Sequence, residues 1–158
     1  MKKEVFTHLD PIMKGLGYHK KRNTWHKKHE IGVASCEYQK SRFFDGFYLN
    51  FGVTYSHFFD SEGFPNSDNW HFESRYDRIL AKSSLMNFHI QEVNLSEVNN
   101  DNFWNELKNN LEHHVIPELE KLLMPSYMKD NFPNNFDHDT WWLTNVTEPE
   151  LIRLLHES

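Results

Sequence analysis

The chain has a single cysteine, Cys36, and no apolar run approaching the roughly 18 to 20 residues that a membrane-spanning helix requires. The first absence excludes an internal disulfide and the second a helical span. A phosphate-cradling glycine loop, a nucleophile elbow and a paired-cysteine zinc motif are also missing, which removes the enzyme and metal classes that carry those signatures. Met1-Lys2-Lys3-Glu4 runs straight into a helical pattern without the apolar stretch of a signal peptide, so an intracellular, cytoplasmic protein is expected. Aliphatic side chains are scarce enough to give a mean hydropathy of -0.76.

Aromatic residues make up 15% of the chain, so burial must rest on rings, each of which removes a large area from water. Half of them lie between Phe43 and Tyr76, where the core is expected to centre. A length of 158 residues fits one domain over 1–158. The net charge of -6 hides a split: residues 1–42 carry a balance of +6 and the remainder -12. Such a split suits either two halves that attract one another in the fold or a basic patch and an acidic face that meet partners of opposite sign.

Val5, Phe6, Leu9, Ile12, Met13 and Leu16 recur at spacings of three and four and predict a first helix, with Pro11 near its start or at a bend and Gly15 and Gly17 ending it. Tyr18 to His29 is basic and short of aliphatics, as a lysine-laden edge strand would be. Ile31 to Gln39 alternates, and the run from Phe47 to Tyr55 alternates more strongly behind the turn-forming Asp45-Gly46 pair, so the two predict a hairpin. Residues 56–69 form a long connection, and Trp70 to Asp77 reads as a further strand. A poorly patterned stretch surrounds Leu85 to Val93. Phe103, Leu107, Leu111, Val115, Leu119 and Leu122 then predict a long helix with Asp101 or Asn102 near its cap, kinked or divided at Pro117. Residues 124–146 look irregular, and Thr147-Glu148-Pro149-Glu150 opens a last helix with a capping box. The expected fold class is α+β: an N-terminal helix, an antiparallel sheet of four to five strands, and C-terminal helices packed on one face.

The opening helix leading to Leu16-Gly17-Tyr18-His19-Lys20-Lys21, then Trp25, then Phe47-Tyr48-Leu49-Asn50-Phe51-Gly52-Val53, and later Trp70 with Arg75, resembles the bacterial domain-of-unknown-function family 4304 (DUF4304) over about residues 1–125. The resemblance implies an α+β fold and no established activity, so it brings no catalytic residues with it.

Four constellations could carry function. Alternate residues of a strand project to one side about 7 Å apart, so His71, Glu73, Arg75 and Asp77 form a polar face that could supply a base, an acid and a cation to an enzyme acting on a phosphate-containing or nucleic-acid substrate. The alternative for that face is a solvated strand. Lys20, Lys21, Arg22, Lys27 and Lys28 around Trp25 could bind an anion, although nucleic acid is disfavoured by the acidic chain and by the division of these residues between two strand faces. Phe58, Phe59, Phe64, Trp141 and Trp142 sit in connections and serve either as partner contacts or as caps over the core. The histidine clusters His26 with His29, His113 with His114, and Asp137-His138-Asp139 lack the spacing of a ligand set, so neither metal nor cofactor is expected. Cys36, inside a predicted strand, is expected to be a small buried hydrophobe. The leading expectation is a non-enzymatic binding module, of the immunity or regulatory type, whose acidic later half engages a basic protein partner. The enzyme using the 71–77 face is the alternative.

Overall fold

The computed structural model of the chain describes residues 2–43, 45–82 and 100–157. Helix α1 (Lys2–Gly15) buries Val5, Leu9 and Met13, a stripe with one residue per turn. Pro11 lies well inside α1, on an exposed side, instead of close to its start. Gly17 follows with φ of 91°, a left-handed conformation that suits glycine at a helix end.

Six strands form one antiparallel sheet in chain order: β1 (His19–Lys21), β2 (Thr24–Lys28), β3 (Gly32–Lys40), β4 (Phe47–Tyr55), β5 (Phe72–Arg75) and β6 (Trp142–Leu143). The sheet is thus wider than the four to five strands expected. One extra strand arises because the basic stretch from Tyr18 to His29 folds back on itself at Arg22, which adopts φ of 59°, and makes a hairpin instead of a single edge strand. The other is β6, a two-residue strand within the segment expected to be irregular. The β3–β4 hairpin forms as the alternation predicts, in a register that sets Cys36 opposite Phe51 and Glu37 opposite Asn50.

The sheet buries one face against the helices. Ala34, Cys36 and Tyr38 of β3, Leu49, Phe51, Val53 and Tyr55 of β4, and Phe72 of β5 join Val5, Leu9, Met13, Leu107, Leu111, Leu119 and Leu151 in the core. Cys36 is fully buried there, and burial holds its thiol well above the ordinary range, as a structural hydrophobe requires.

Helix α2 (Tyr76–Ala81) begins where a longer β5 was expected, because Tyr76, Ile79 and Leu80 share one helical face and all three are buried. The poorly patterned stretch from Leu85 to Val93 lies outside the described residues. The long helical pattern is divided, as Pro117 predicts: α3 (Asp101–Asn110) runs into a π-helical turn (Leu111–Val115) and then α4 (Ile116–Lys121), which carries Pro117 in its first turn. The cap of α3 is Asn100, whose side chain accepts from the Asn102 N–H, one residue before the positions expected. Helix α5 (Pro125–Asn131) occupies part of the segment expected to be irregular. Helix α6 (Glu148–Glu157) opens on the expected capping box: the Thr147 N–H donates to Glu150 Oε1 at 3.0 Å, and the Glu150 N–H donates to Thr147 Oγ1 at 3.3 Å. Among the described residues no helix is long and apolar enough to cross a membrane.

Candidate functional site

Among the described residues, the α-helices that build the core pack on the first face of the sheet, and the second face is met by the connection between β4 and β5, with a short 3-10 turn at Ser67–Asn69. On the second face the strand registers align Thr24, Glu37, Asn50 and Arg75 in one row across β2 to β5, and His26, Ser35, Gly52, Glu73 and Trp142 in the next row across β2 to β6. The connection between β4 and β5 folds back over part of this face. Its Phe64 ring stacks flat on His26 with 4.7 Å between centroids. Its Trp70 lies on Gly52, where a Cβ would come within 2.2 Å of the indole. Glycine is needed at position 52 because the indole takes the space of a side chain.

Trp70 is held from behind by the segment after β6: Thr144 Oγ1 donates to the Trp70 carbonyl at 2.6 Å, and Asn145 Nδ2 donates to the same oxygen at 2.7 Å. A groove of about 660 Å³ remains on the uncovered part of the face. Glu37, Gln39, Asn50, Glu73 and Arg75 line it from the sheet, Ser67, Asp68 and Trp70 from the connection, and Arg78 and Trp142 from α2 and β6. The volume falls in the range of ligand sites.

Two guanidiniums in the groove lie over rings: Arg75 is 4.5 Å from the Tyr48 centroid and Arg78 is 3.6 Å from that of Trp142. Among the described residues, neither arginine nor any of Glu37, Asp68 and Glu73 makes an ion pair or a side-chain hydrogen bond within the protein. Asn50 Nδ2 donates to Gln39 Oε1 at 2.8 Å, which fixes both amides on the floor. Trp70 is only 1% exposed, and its Nε1–H is buried without a hydrogen-bond partner among the described residues.

Of the four residues expected to share a catalytic face, only Glu73 and Arg75 line the groove. His71 precedes β5 and packs inward, stacked on Tyr55 and edge-on to Phe58. Its Nδ1 accepts the Tyr55 N–H at 2.9 Å, so the proton of the neutral ring sits on Nε2. Burial lowers its pKa from 6.5 to about 4. Asp77 is carried away by the turn into α2, since helical geometry ends the two-residue alternation at Tyr76.

The five expected anion-binding cations separate. Lys20 and Lys27 point to the helix side, where Lys20 pairs with Asp10 at 3.1 Å and Lys27 with Glu120 at 2.8 Å. Burial raises the Glu120 pKa, but the hydrogen bonds from His29 and Lys27 more than offset it, and the carboxyl stays below its usual range. Lys21, Arg22 and Lys28 remain exposed, with Lys28 Nζ 5.4 Å from the Phe64 ring.

The expected aromatic contacts also divide. Trp141 is buried in the core, Phe58 and Phe64 are half-buried against His71 and His26, Phe59 is half-buried, and Trp142 is 46% exposed at the rim of the groove. Phe43, 91% exposed in the β3–β4 turn, was not singled out from the sequence. Among the described residues no three His, Cys, Asp or Glu side chains converge as a metal site. Asp137 instead accepts from the Thr140 N–H and hydroxyl, and His138 Nε2 lies 2.8 Å from the Pro133 carbonyl.

Residues 9–123 match the family described as Domain of unknown function (DUF4304). The chain belongs to that family. The DUF4304 match takes in α1 from Leu9, strands β1 to β5, the connection bearing Trp70, and Arg78, so most of the groove lies within it. Trp142 and the segment that clamps Trp70 lie beyond it. No curated protein and no solved structure matches the chain.

The sequence did not point to Glu37, Gln39, Asn50 and Arg78 as groove residues. Alternation places Glu37 and Gln39 together on β3 and places Asn50 on the mixed face of β4. Their meeting depends on the register between strands, which alternation within one strand does not carry.

Proposed function

We propose that the protein is a non-enzymatic binding module, of the immunity or regulatory kind, that engages a basic protein partner through the groove on the second face of the sheet. The observation that carries this reading is the set of five charged side chains, Glu37, Asp68, Glu73, Arg75 and Arg78, that line one concavity and, among the described residues, make no ion pair or side-chain hydrogen bond. A half-exposed tryptophan, stacked arginines and satisfied amides beside them are the residue types that anchor interfaces. The balance of -12 beyond residue 42 favours encounter with a basic partner. A cytoplasmic setting belongs to the same proposal and rests on the free, buried Cys36.

The alternative, an enzyme acting on a phosphate-containing substrate, draws on Arg75 and Arg78. It loses its base, because His71 is buried, neutral and occupied by the Tyr55 N–H. The test is affinity capture from extracts of the source cells with the wild-type chain and with Trp142→Ala and Glu73→Ala/Arg75→Ala variants. The expected result is a stoichiometric basic protein retained by the wild type and lost with both variants. Recovery of a nucleic acid or phosphate compound that depends on Arg75 and Arg78, with no protein partner, would overturn the proposal in favour of the enzyme.

A further inference from the structure

We infer that the groove recognises a dipolar segment in which a basic side chain is followed closely by a carboxylate, the simplest case being the C-terminal arginine or lysine of a polypeptide. The inference rests on the reading of the groove as the binding surface and specifies what that surface takes.

Charges are separated along one row of the groove: Glu37 stands on β3, Asn50 on β4 and Arg75 on β5, with Arg78 and Trp142 beyond it, while Glu73 shares β5 with Arg75 one row away and Asp68 lies on the connection. With neighbouring strands about 4.8 Å apart, the Glu37 and Arg75 backbones lie about 10 Å apart with a neutral amide between them. A ligand lying along that row therefore meets the Glu37 carboxylate at one end and the Arg75 guanidinium, with Arg78 beyond, at the other. An arginine or lysine side chain separates its own cation from its backbone carboxylate by a comparable length.

The neutral middle suits a backbone. Asn50 uses one amide hydrogen on Gln39 Oε1, which leaves Asn50 Oδ1 as an acceptor and the Gln39 amide hydrogens as donors for a peptide group. At the arginine end, the guanidiniums lie over the Trp142 and Tyr48 rings, and a planar guanidinium fork can grip a carboxylate bidentately. Three carboxylates against two guanidiniums leave the lining with a surplus of one negative charge, which repels a phosphate dianion or a nucleic-acid backbone and tolerates a single carboxylate accompanied by a cation.

The test follows the indole N–H resonances of the full chain by NMR while glycyl-arginine is added, then glycyl-argininamide, then inorganic phosphate. The expected result is a saturable shift of the Trp142 and Trp70 indoles with glycyl-arginine and an affinity at least tenfold lower for the amide. Arg75→Ala removes the preference for the free acid, Arg75→Lys restores only part of it, and Glu37→Gln weakens acid and amide alike. Equal binding of acid and amide overturns the inference, as does a response to phosphate that matches or exceeds that to the dipeptide. If glycyl-arginine shifts no indole while capture of the protein partner still requires Glu73 and Arg75, the dipolar recognition fails and the groove stands as the binding surface. Loss of both overturns the underlying reading as well.

Discussion

Replacing Gly52 by alanine tests the seat of the groove wall. The new Cβ would lie 2.2 Å from Trp70 Cδ2, 2.3 Å from Cε3 and 2.6 Å from Cγ, distances at which one atom must move. The indole is rigid, and its own backbone carbonyl is clamped by Thr144 and Asn145, so relief requires distorting β4 or lifting Trp70 off the sheet. Overpacking of this kind costs about 1 to 3 kcal/mol. Alanine in place of a strand glycine otherwise gains about 0.5 to 1 kcal/mol from the unfolded chain. A net loss of about 1 kcal/mol is expected, which in a chain of this size lowers Tm by about 2 to 4 °C.

Trp70→Ala alone should cost about 3 to 5 kcal/mol, as loss of a fully buried ring does. In the Trp70→Ala background the obstacle is gone, so Gly52→Ala should become neutral or mildly stabilising, a coupling of about 1 to 2 kcal/mol. Urea unfolding followed by far-UV circular dichroism measures all four proteins without relying on the fluorescence of the altered residue. An equal cost for Gly52→Ala in both backgrounds would refute the stacking of Trp70 on Gly52 as the reason for glycine there.

Three further outcomes are expected. His26 and His71 are buried and held neutral, each with a pKa lowered from 6.5 to about 4, by burial in both and then by Lys21 for His26. Their contribution is therefore complete above pH 6.5 and declines as pH falls toward 4, by at most about 1.4 kcal/mol per pH unit for each ring. Unfolding free energies measured between pH 7 and pH 5, above the range in which lowered carboxyls such as Glu120 titrate, should show this decline, and a flat profile would contradict it. The Tyr55 hydroxyl donates to the Leu122 carbonyl at 2.7 Å inside the core, so Tyr55→Phe should cost about 1 to 2 kcal/mol in urea unfolding, and a neutral result would show that carbonyl to be satisfied elsewhere. Thr147→Ala removes one half of the α6 capping box and should cost about 1 kcal/mol, with Thr147→Ser recovering most of it in thermal melts.

Elements fixed by local chemistry were legible in the chain. The Asp45-Gly46 turn and the alternation from Phe47 to Tyr55 specify β4 because its buried face tolerates no slip of register. Thr147 and Glu150 specify the start of α6 through two reciprocal hydrogen bonds between neighbours. What escaped reading depends on contacts between distant segments. Strand β1 is three residues long, all exposed, and strand β6 only two residues long, too short for any period to show. Trp141 and Trp142 are adjacent in sequence and so point oppositely across the strand start, which sends one to the core and leaves the other at the groove rim. Glu73 and Arg75 share one strand, so alternation alone places both on one face. Asp77 does not continue that face, since the helical spacing of Tyr76, Ile79 and Leu80 takes over there. The pairing of Trp70 with Gly52 joins residues whose neighbours in sequence say nothing of it.

The central claim is that the second face of the sheet, between the Trp70 connection and Trp142, is where the partner sits. Hydrogen–deuterium exchange of the chain alone and in complex with the captured partner tests it most directly. The account predicts new protection at residues 37–39, 48–52, 67–78 and 142, with exchange unchanged along α1 and the π-helical turn. Protection confined to α1 or the helix side of the sheet, with the groove exchanging as before, would contradict it.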